Sequence, residues 1–205
     1  MDISIIKDIL QVCRRLDQKG LVNAYEGNIS VRQNGLIYIT PTGKNKAFLD
    51  EEAICVLEEG SLKQIGGKFP PSSEVPLHVN SYQTRSNIGA VIHCHPPYLT
   101  AFALDHRPVK TSAYPEMMGN FKEIPVAPYG RPGTSDIFEP ARKYIEKYDG
   151  VLLANHGILV VGKDVYDAMN KAEAMEAIAR VLSIAEQVGK PVDLPDDECA
   201  FFLAK

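Results

Sequence analysis

Ile92-His93-Cys94-His95-Pro96 closes the apolar run Gly89-Ala90-Val91-Ile92, and its reading governs that of the whole chain. A short run of branched side chains reads as a buried strand, on which residues two apart share a face. His93 and His95 are therefore expected to point the same way, with Cys94 turned to the opposite side. Two parallel imidazoles on a stiff strand can both reach a divalent cation at about 2.0 Å, with the softer sulfur directed away. Pro96 lacks the N–H needed to continue a ladder and ends the strand. Paired histidines also serve simply to satisfy buried hydrogen bonds, so a metal reading needs further ligands.

The 205 residues, 45% of them hydrophobic, suffice for one sizeable core, so a single domain over 1–205 is expected. A net charge of −4 without a basic stripe argues against a nucleic-acid partner; a bound phosphate should be small and locally held. Cys13, Cys55, Cys94 and Cys199 are scattered without a Cys-x-x-Cys pair, which fits reduced thiols filling the core of a cytoplasmic protein. The chain opens without a cationic leader and contains no apolar run of about 18 residues, so a soluble protein with no membrane partner is expected.

Working outward, Ile5, Ile6, Ile9, Val12, Cys13 and Leu16 have helical spacing, and Gly20 supplies a stop. Asn34-Gly35 between Ile29-Ser30-Val31 and Leu36–Ile39 predicts a hairpin. A second is expected between 54–57 and 62–65. Ser72-Ser73 precedes a helix over Glu74–Arg85 with Pro76 in its first turn, the order of a capped start. Beyond the His93 strand the pattern predicts a short helix over Tyr98–Leu104 and a strand over Glu123–Val126. A helix capped by Thr134-Ser135-Asp136 is expected to bury Ile137, Phe138, Ala141, Ile145 and Tyr148. Strands 151–154 and 158–161 flank the turn Asn155-His156-Gly157. A long helix runs from Asp164 to about Val188 with an apolar stripe through Val165, Ala168, Ala172, Met175, Ala179 and Leu182. Helices bracketing a central set of strands imply an α/β layer fold.

His156, in a strand-turn-strand corner where Gly157 permits a sharp turn, is the natural third ligand. Glu74, at a helix start just before the histidine strand, can project a carboxylate into the same corner. Three imidazoles and a carboxylate suit Zn²⁺ and accept Mn²⁺, Fe²⁺ or Co²⁺. Each residue has a plainer reading, His156 as a turn residue and Glu74 as a partner of the helix dipole.

Taken in order, Gly27-Asn28-Ile29-Ser30-Val31-Arg32, Thr40-Pro41-Thr42-Gly43, Pro71-Ser72-Ser73-Glu74, His93-Cys94-His95 and Asn155-His156-Gly157 resemble the class II aldolase and adducin family. The resemblance runs from the first helix to about Pro195. It implies a three-layer αβα sandwich with a mainly antiparallel central sheet, assembled as a homotetramer with active sites between subunits. It makes His93, His95 and His156 zinc ligands and Glu74 both an acid/base and a metal ligand. Gly27, Asn28, Thr42, Gly43, Ser72 and Ser73 match the family's phosphate pocket, where hydroxyls, an amide and a helix N-terminus hold the anion without Lys or Arg. Tyr114 falls where related aldolases place a catalytic tyrosine, and Glu116 where dehydratase relatives keep a glutamate, so the two compete for the second acid/base role. The activity implied is zinc-dependent cleavage of a ketose 1-phosphate, such as L-fuculose 1-phosphate, to dihydroxyacetone phosphate and an aldehyde. Sugar-phosphate dehydration, sugar-acid phosphate decarboxylation and a non-catalytic adducin-like interaction module are the alternatives. Two departures bear on the substrate: Pro132 replaces an aromatic of related aldolases, and no tyrosine-bearing tail follows Phe201-Phe202-Leu203. His78 and His106 carry no motif and are read as structural or surface residues.

Overall fold

The computed structural model describes residues 1–204; Lys205, at the end of the expected domain span, lies outside the described residues. Among the described residues, eight strands form one sheet: β1 (Asn28–Gln33), β2 (Leu36–Ile39), β3 (Cys55–Glu58), β4 (Gln64–Gly66), β5 (Ala90–Cys94), β6 (Val126–Ala127), β7 (Gly150–Leu153) and β8 (Gly157–Gly162). Their order is β4-β3-β2-β1-β5-β8-β7-β6. All neighbours are antiparallel except β6 and β7. The histidine strand β5 is thus central, paired on one side with β1 and on the other with β8.

Alternation along the strands divides the core in two. Ala90, Ile92 and Cys94 join Ile29, Val31, Ile158 and Val160 in a cluster with α1 (Ile3–Gln18), α3 (Pro97–Leu104) and α6 (Val165–Val188). Val91, Leu159, Val161, Val151 and Leu153 face the other way, against α2 (Val75–Thr84) and α5 (Glu139–Ile145). Helices cover both faces of a mixed, mostly antiparallel sheet, which is the expected αβα sandwich. No helix among the described residues is long and apolar enough to cross a membrane.

The β1–β2 hairpin turns through Asn34 and Gly35, both with positive φ (53° and 74°), as an Asn-Gly turn requires. The second hairpin forms with a bulge, pairing Val56 with Gly66 and Leu57 with Gln64. Prolines account for two departures. The helix expected from residue 134 is broken into a 3-10 turn (Ser135–Ile137) and α5, because Pro140 cannot donate to a carbonyl one turn back and instead occupies the first turn of a new helix. The Thr134 hydroxyl accepts from the Asp136 N–H at 3.2 Å; the Ser135 side chain lies outside the described residues. Tyr148 falls beyond α5 and is only half-buried. Pro125 likewise interrupts the strand expected over Glu123–Val126, leaving Ile124 in a single bridge to Val109 before β6.

Two helices have no counterpart in the sequence reading: α4 (Pro115–Asn120) and α7 (Asp196–Leu203). No residue of α7 is buried, so it has no apolar stripe to reveal it; its one signal is the acidic first turn Asp196-Asp197-Glu198 after Pro195. Cys199 lies there half-buried, so it is not a core filler, unlike the buried Cys13, Cys55 and Cys94.

Ile92 is fully buried and pairs with Ile29 on β1 and Val160 on β8. Ile92→Ala should therefore lower the unfolding free energy by about 2–5 kcal/mol in urea titrations, whereas Val188→Ala, at an exposed position, should stay within about 0.5 kcal/mol of wild type.

Candidate functional site

The C-terminal end of β5 delivers the first two imidazoles. His93 shares the sheet face of Val91, opposite Ile92 and Cys94, and pairs in register with Asn28 of β1. It is completely buried, and its Nδ1–H donates to the Ile158 carbonyl oxygen at 2.9 Å. That bond fixes the tautomer and leaves the Nε2 lone pair facing the site. His95 follows just beyond the strand, its Nε2 2.9 Å from Nε2 of His93. His156 comes from the β7–β8 corner. The three ring centroids stand 4.6–4.8 Å apart, and one nitrogen from each lies within 4.8 Å of the others.

The corner is built differently from the expectation that Gly157 makes the turn. Asn155 takes the left-handed conformation (φ 58°), and its Oδ1 accepts from His106 Nε2 at 2.7 Å. Gly157 instead provides room: a Cβ there would stand 2.6 Å from the Cys94 carbonyl oxygen and 2.6 Å from Cδ2 of His95. Gly27, with φ 81°, similarly brings its loop against the His93 carbonyl, 3.1 Å from where a Cβ would sit.

Glu74 is the N-cap residue of α2. Neither serine caps the helix in the usual sense, because the Ser72 hydroxyl accepts from the N–H of the cap residue Glu74 itself at 3.2 Å, two positions early. The buried Glu74 carboxylate reaches over the imidazoles, with Oε2 3.6 Å from His93 Nε2 and Oε1 3.9 Å from His156 Nε2. Oε2 accepts from Asn28 Nδ2 at 2.6 Å, whereas Oε1 is buried without a hydrogen-bond partner. An orphaned carboxylate oxygen beside three imidazoles is the environment of a cation, since buried acceptors otherwise find donors. These four residues fit a divalent metal by number and type. Burial pushes His93 well below the usual histidine range, with His156 and His95 adding to the effect; burial is also the main cause lowering His95 and His156. Neutral imidazoles are the ligating form.

Beside this cluster opens a cleft of about 280 Å³. Gly27, Asn28, Thr42, Gly43, Ser72 and Ser73 all line it, as do Glu74, His95 and His156, so the structure brings together the residues picked from sequence for anion and metal binding. Pro132, which stands where the resemblance places an aromatic, forms part of the wall. Tyr114 does not line this chain's cleft. It stands at the start of α4, half-buried against the core, and Glu116 is exposed in that helix's first turn.

Three further residues escaped the sequence reading. Lys46, only 2% exposed, lines the cleft from a 3-10 turn (Lys46–Phe48). Its Nζ donates to the Lys44 carbonyl oxygen at 3.0 Å, and burial pushes the ammonium below its usual range while Cys13 and Glu74 pull the other way. A lysine rarely goes so deep unless a charge awaits it. Glu26 places Oε2 3.7 Å from His95 Nδ1, on the side away from His93. His78, expected to be structural or at the surface, takes the first of these places: it is fully buried, bonded through Nε2 to Asn28 Oδ1 and through Nδ1 to Ser30 Oγ. Its position four residues after Glu74 was a usable signal, because such pairs share a helix face.

A family model described as class II aldolase and adducin N-terminal domain matches residues 7–183. An L-fuculose phosphate aldolase of Methanococcus maripaludis is 37% identical over 178 residues, covering 86% of this chain and 94% of the relative. The L-fuculose phosphate aldolase of Escherichia coli K12 is 31% identical over 98% of this chain and 93% of its own length. A solved L-fuculose 1-phosphate aldolase structure superposes with a TM-score of 0.90 at 32% identity, covering all of this chain and 96% of the other.

Burial drives His78 down from an ordinary 6.5 to about 3, with the nearby His93 adding to the effect and Glu74 opposing it. The unfolded chain therefore binds a proton there that the folded chain excludes, so this contribution to stability is complete above pH 6.5 and falls as pH drops toward 3. In urea titrations between pH 6.5 and about 5, wild type should lose up to about 1.4 kcal/mol per pH unit more than H78L; parallel slopes would refute a neutral buried ring.

Proposed function

The chain belongs to the class II aldolase and adducin family, a family of metal-dependent lyases, and from that premise we propose that it cleaves a ketose 1-phosphate of the L-fuculose 1-phosphate type to dihydroxyacetone phosphate and an aldehyde. The observation carrying this reading is the convergence of His93, His95, His156 and Glu74 at one edge of a cleft that is also lined by the hydroxyls of Thr42, Ser72 and Ser73 and by the buried Lys46. A sugar phosphate has the matching polarity, with vicinal oxygens for the cation and a dianion for the wall.

His93, His95 and His156 would hold the metal, with Glu74 as a fourth ligand in the absence of substrate; Zn²⁺ suits this donor set. The metal supplies Lewis-acid stabilisation of negative charge developing on oxygen. The protein does the rest. Ser72, Ser73, Thr42, Gly43 and Asn28 orient the phosphate near the start of α2, whose positive end favours an anion, and Lys46 in the same cleft adds its ammonium. As the C4 hydroxyl loses its proton and the C3–C4 bond breaks, the electron pair moves onto the C2 carbonyl oxygen. Glu74 then returns a proton at C3. Asn28 holds Oε2 of Glu74, so the unpartnered Oε1 is the oxygen free to move that proton. Tyr114 serves the C4 oxygen from a neighbouring copy in the homotetramer that the family resemblance implies, since it does not line its own chain's cleft. The unpaired thiols support a cytoplasmic setting.

Incubation of the metal-loaded protein with short ketose 1-phosphates should release dihydroxyacetone phosphate, measured by coupled reduction. A product retaining the whole carbon skeleton would indicate dehydration, and carbon dioxide release a decarboxylase. A protein that takes up no metal would be the non-catalytic interaction module. Lys46→Met should raise KM for the phosphorylated substrate by roughly ten- to a hundredfold, as for loss of a charged hydrogen bond, without changing metal stoichiometry. Chelation should abolish turnover and Zn²⁺ restore it.

A further inference from the structure

We propose that His78 is a positioning residue that aims the Glu74 carboxylate through the side-chain amide of Asn28. The inference rests on the reading of Glu74 as the acid/base. A buried row of polar groups runs between β1 and α2. The Tyr82 hydroxyl is 2.6 Å from Ser30 Oγ, Ser30 Oγ 2.7 Å from His78 Nδ1, His78 Nε2 2.5 Å from Asn28 Oδ1, and Asn28 Nδ2 2.6 Å from Glu74 Oε2. The row exists because two periodicities nearly match. Asn28 and Ser30 are two apart on a strand, about 6.7 Å, while Glu74, His78 and Tyr82 follow at four-residue steps on a helix, about 6.0 Å each. Their side chains therefore interleave.

Proton counting gives the row one polarity. The Asn28 carbonyl oxygen can only accept, so His78 Nε2 carries the hydrogen and Nδ1 accepts from the Ser30 hydroxyl. Ser30 in turn accepts from Tyr82. A neutral ring is required, and complete burial enforces one. Reversing the Asn28 amide would set its NH₂ against the Nε2–H and its oxygen against the Glu74 carboxylate, two repulsive contacts. With His78 in place Asn28 must donate to Oε2, and the carboxylate turns its Oε1 toward His156. Without that ring, only the contact with Glu74 itself sets which end of Asn28 faces the carboxylate, and nothing anchors the amide from the far side.

Amide variants separate positioning from packing. In H78Q the amide nitrogen reaches the place of Nε2 and keeps the donor to Asn28; in H78N it reaches only that of Nδ1. H78N and H78L should lose roughly ten- to a hundredfold in kcat, with KM within about twofold of wild type and metal content unchanged, while H78Q recovers to within a few-fold. If kcat per folded, metal-loaded molecule is the same in H78N, H78L and wild type, His78 only fills space and the proposal is overturned. A readout independent of turnover is the ¹⁵N NMR spectrum of the metal-free wild type. It should show His78 protonated at Nε2 and bare at Nδ1, and the Asn28 side-chain NH₂ signal should shift in H78N but not in H78Q. A ring protonated at Nδ1, or an Asn28 signal that follows both variants equally, overturns the positioning role. Should wild type release no triose phosphate, the proposed reaction fails, and these spectra alone decide for or against His78.

Discussion

The antiparallel pairing of β5 with β8 is the constraint on which the site depends. It sets His93 opposite Leu159 and brings the Ile158 carbonyl within 2.9 Å of His93 Nδ1. The same ladder ends at the corner that presents His156, so two imidazoles far apart in sequence are held by one register. A one-residue slip would turn His93 into the α1/α3/α6 layer and Cys94 into the site. Register is secure because both faces of β5 are buried and apolar neighbours on each side have only one arrangement that avoids exposing them.

The electrostatics of the cleft follow from burial. Desolvation favours the neutral form of all three crowded histidines, and neighbouring imidazoles add to this at His93 and His156, so they offer lone pairs instead of charges. The charged side chains lining the cleft are Glu74 and Glu26, both near the imidazoles, and Lys46. Carboxylates near the imidazoles and an ammonium in the same cleft suit a ligand that presents oxygens for a cation at one end and an anion at the other. Asn28 joins the two halves, standing in the cleft wall while its amide holds Glu74 from behind.

Much of this was legible in the sequence. The apolar run at 89–92 announced β5, Asn34-Gly35 announced the β1–β2 turn, and strand alternation put His93 and His95 on one side. Helix ends and interruptions were harder to read where proline competed with pattern, as at Pro125 and Pro140. The packed apolar stripe of α6 was visible, whereas α7, none of whose residues is fully buried, had no periodicity to detect. Within the site, motif residues were found because hydroxyls, carboxylate and imidazoles cluster in short segments. Lys46 and His78 were not, since their importance lies in burial. A lysine in a loop and a histidine in a helix look like surface residues until the chain folds over them. Tyr114 shows the complementary limit: its place in the sequence suggests a role, but one chain alone does not bring it to the cleft.

The account turns on four side chains gathering around one cation next to an anion-holding wall. Its most direct measurement is anomalous diffraction from crystals of the metal-loaded protein bound to a phosphorylated hydroxamate that mimics the ketose. One metal peak bonded to His93, His95 and His156, with the phosphate against Ser72, Thr42 and Lys46 and Glu74 displaced from the ion, is the predicted result. A metal bound away from those imidazoles, or a phosphate lying outside the cleft, would contradict it.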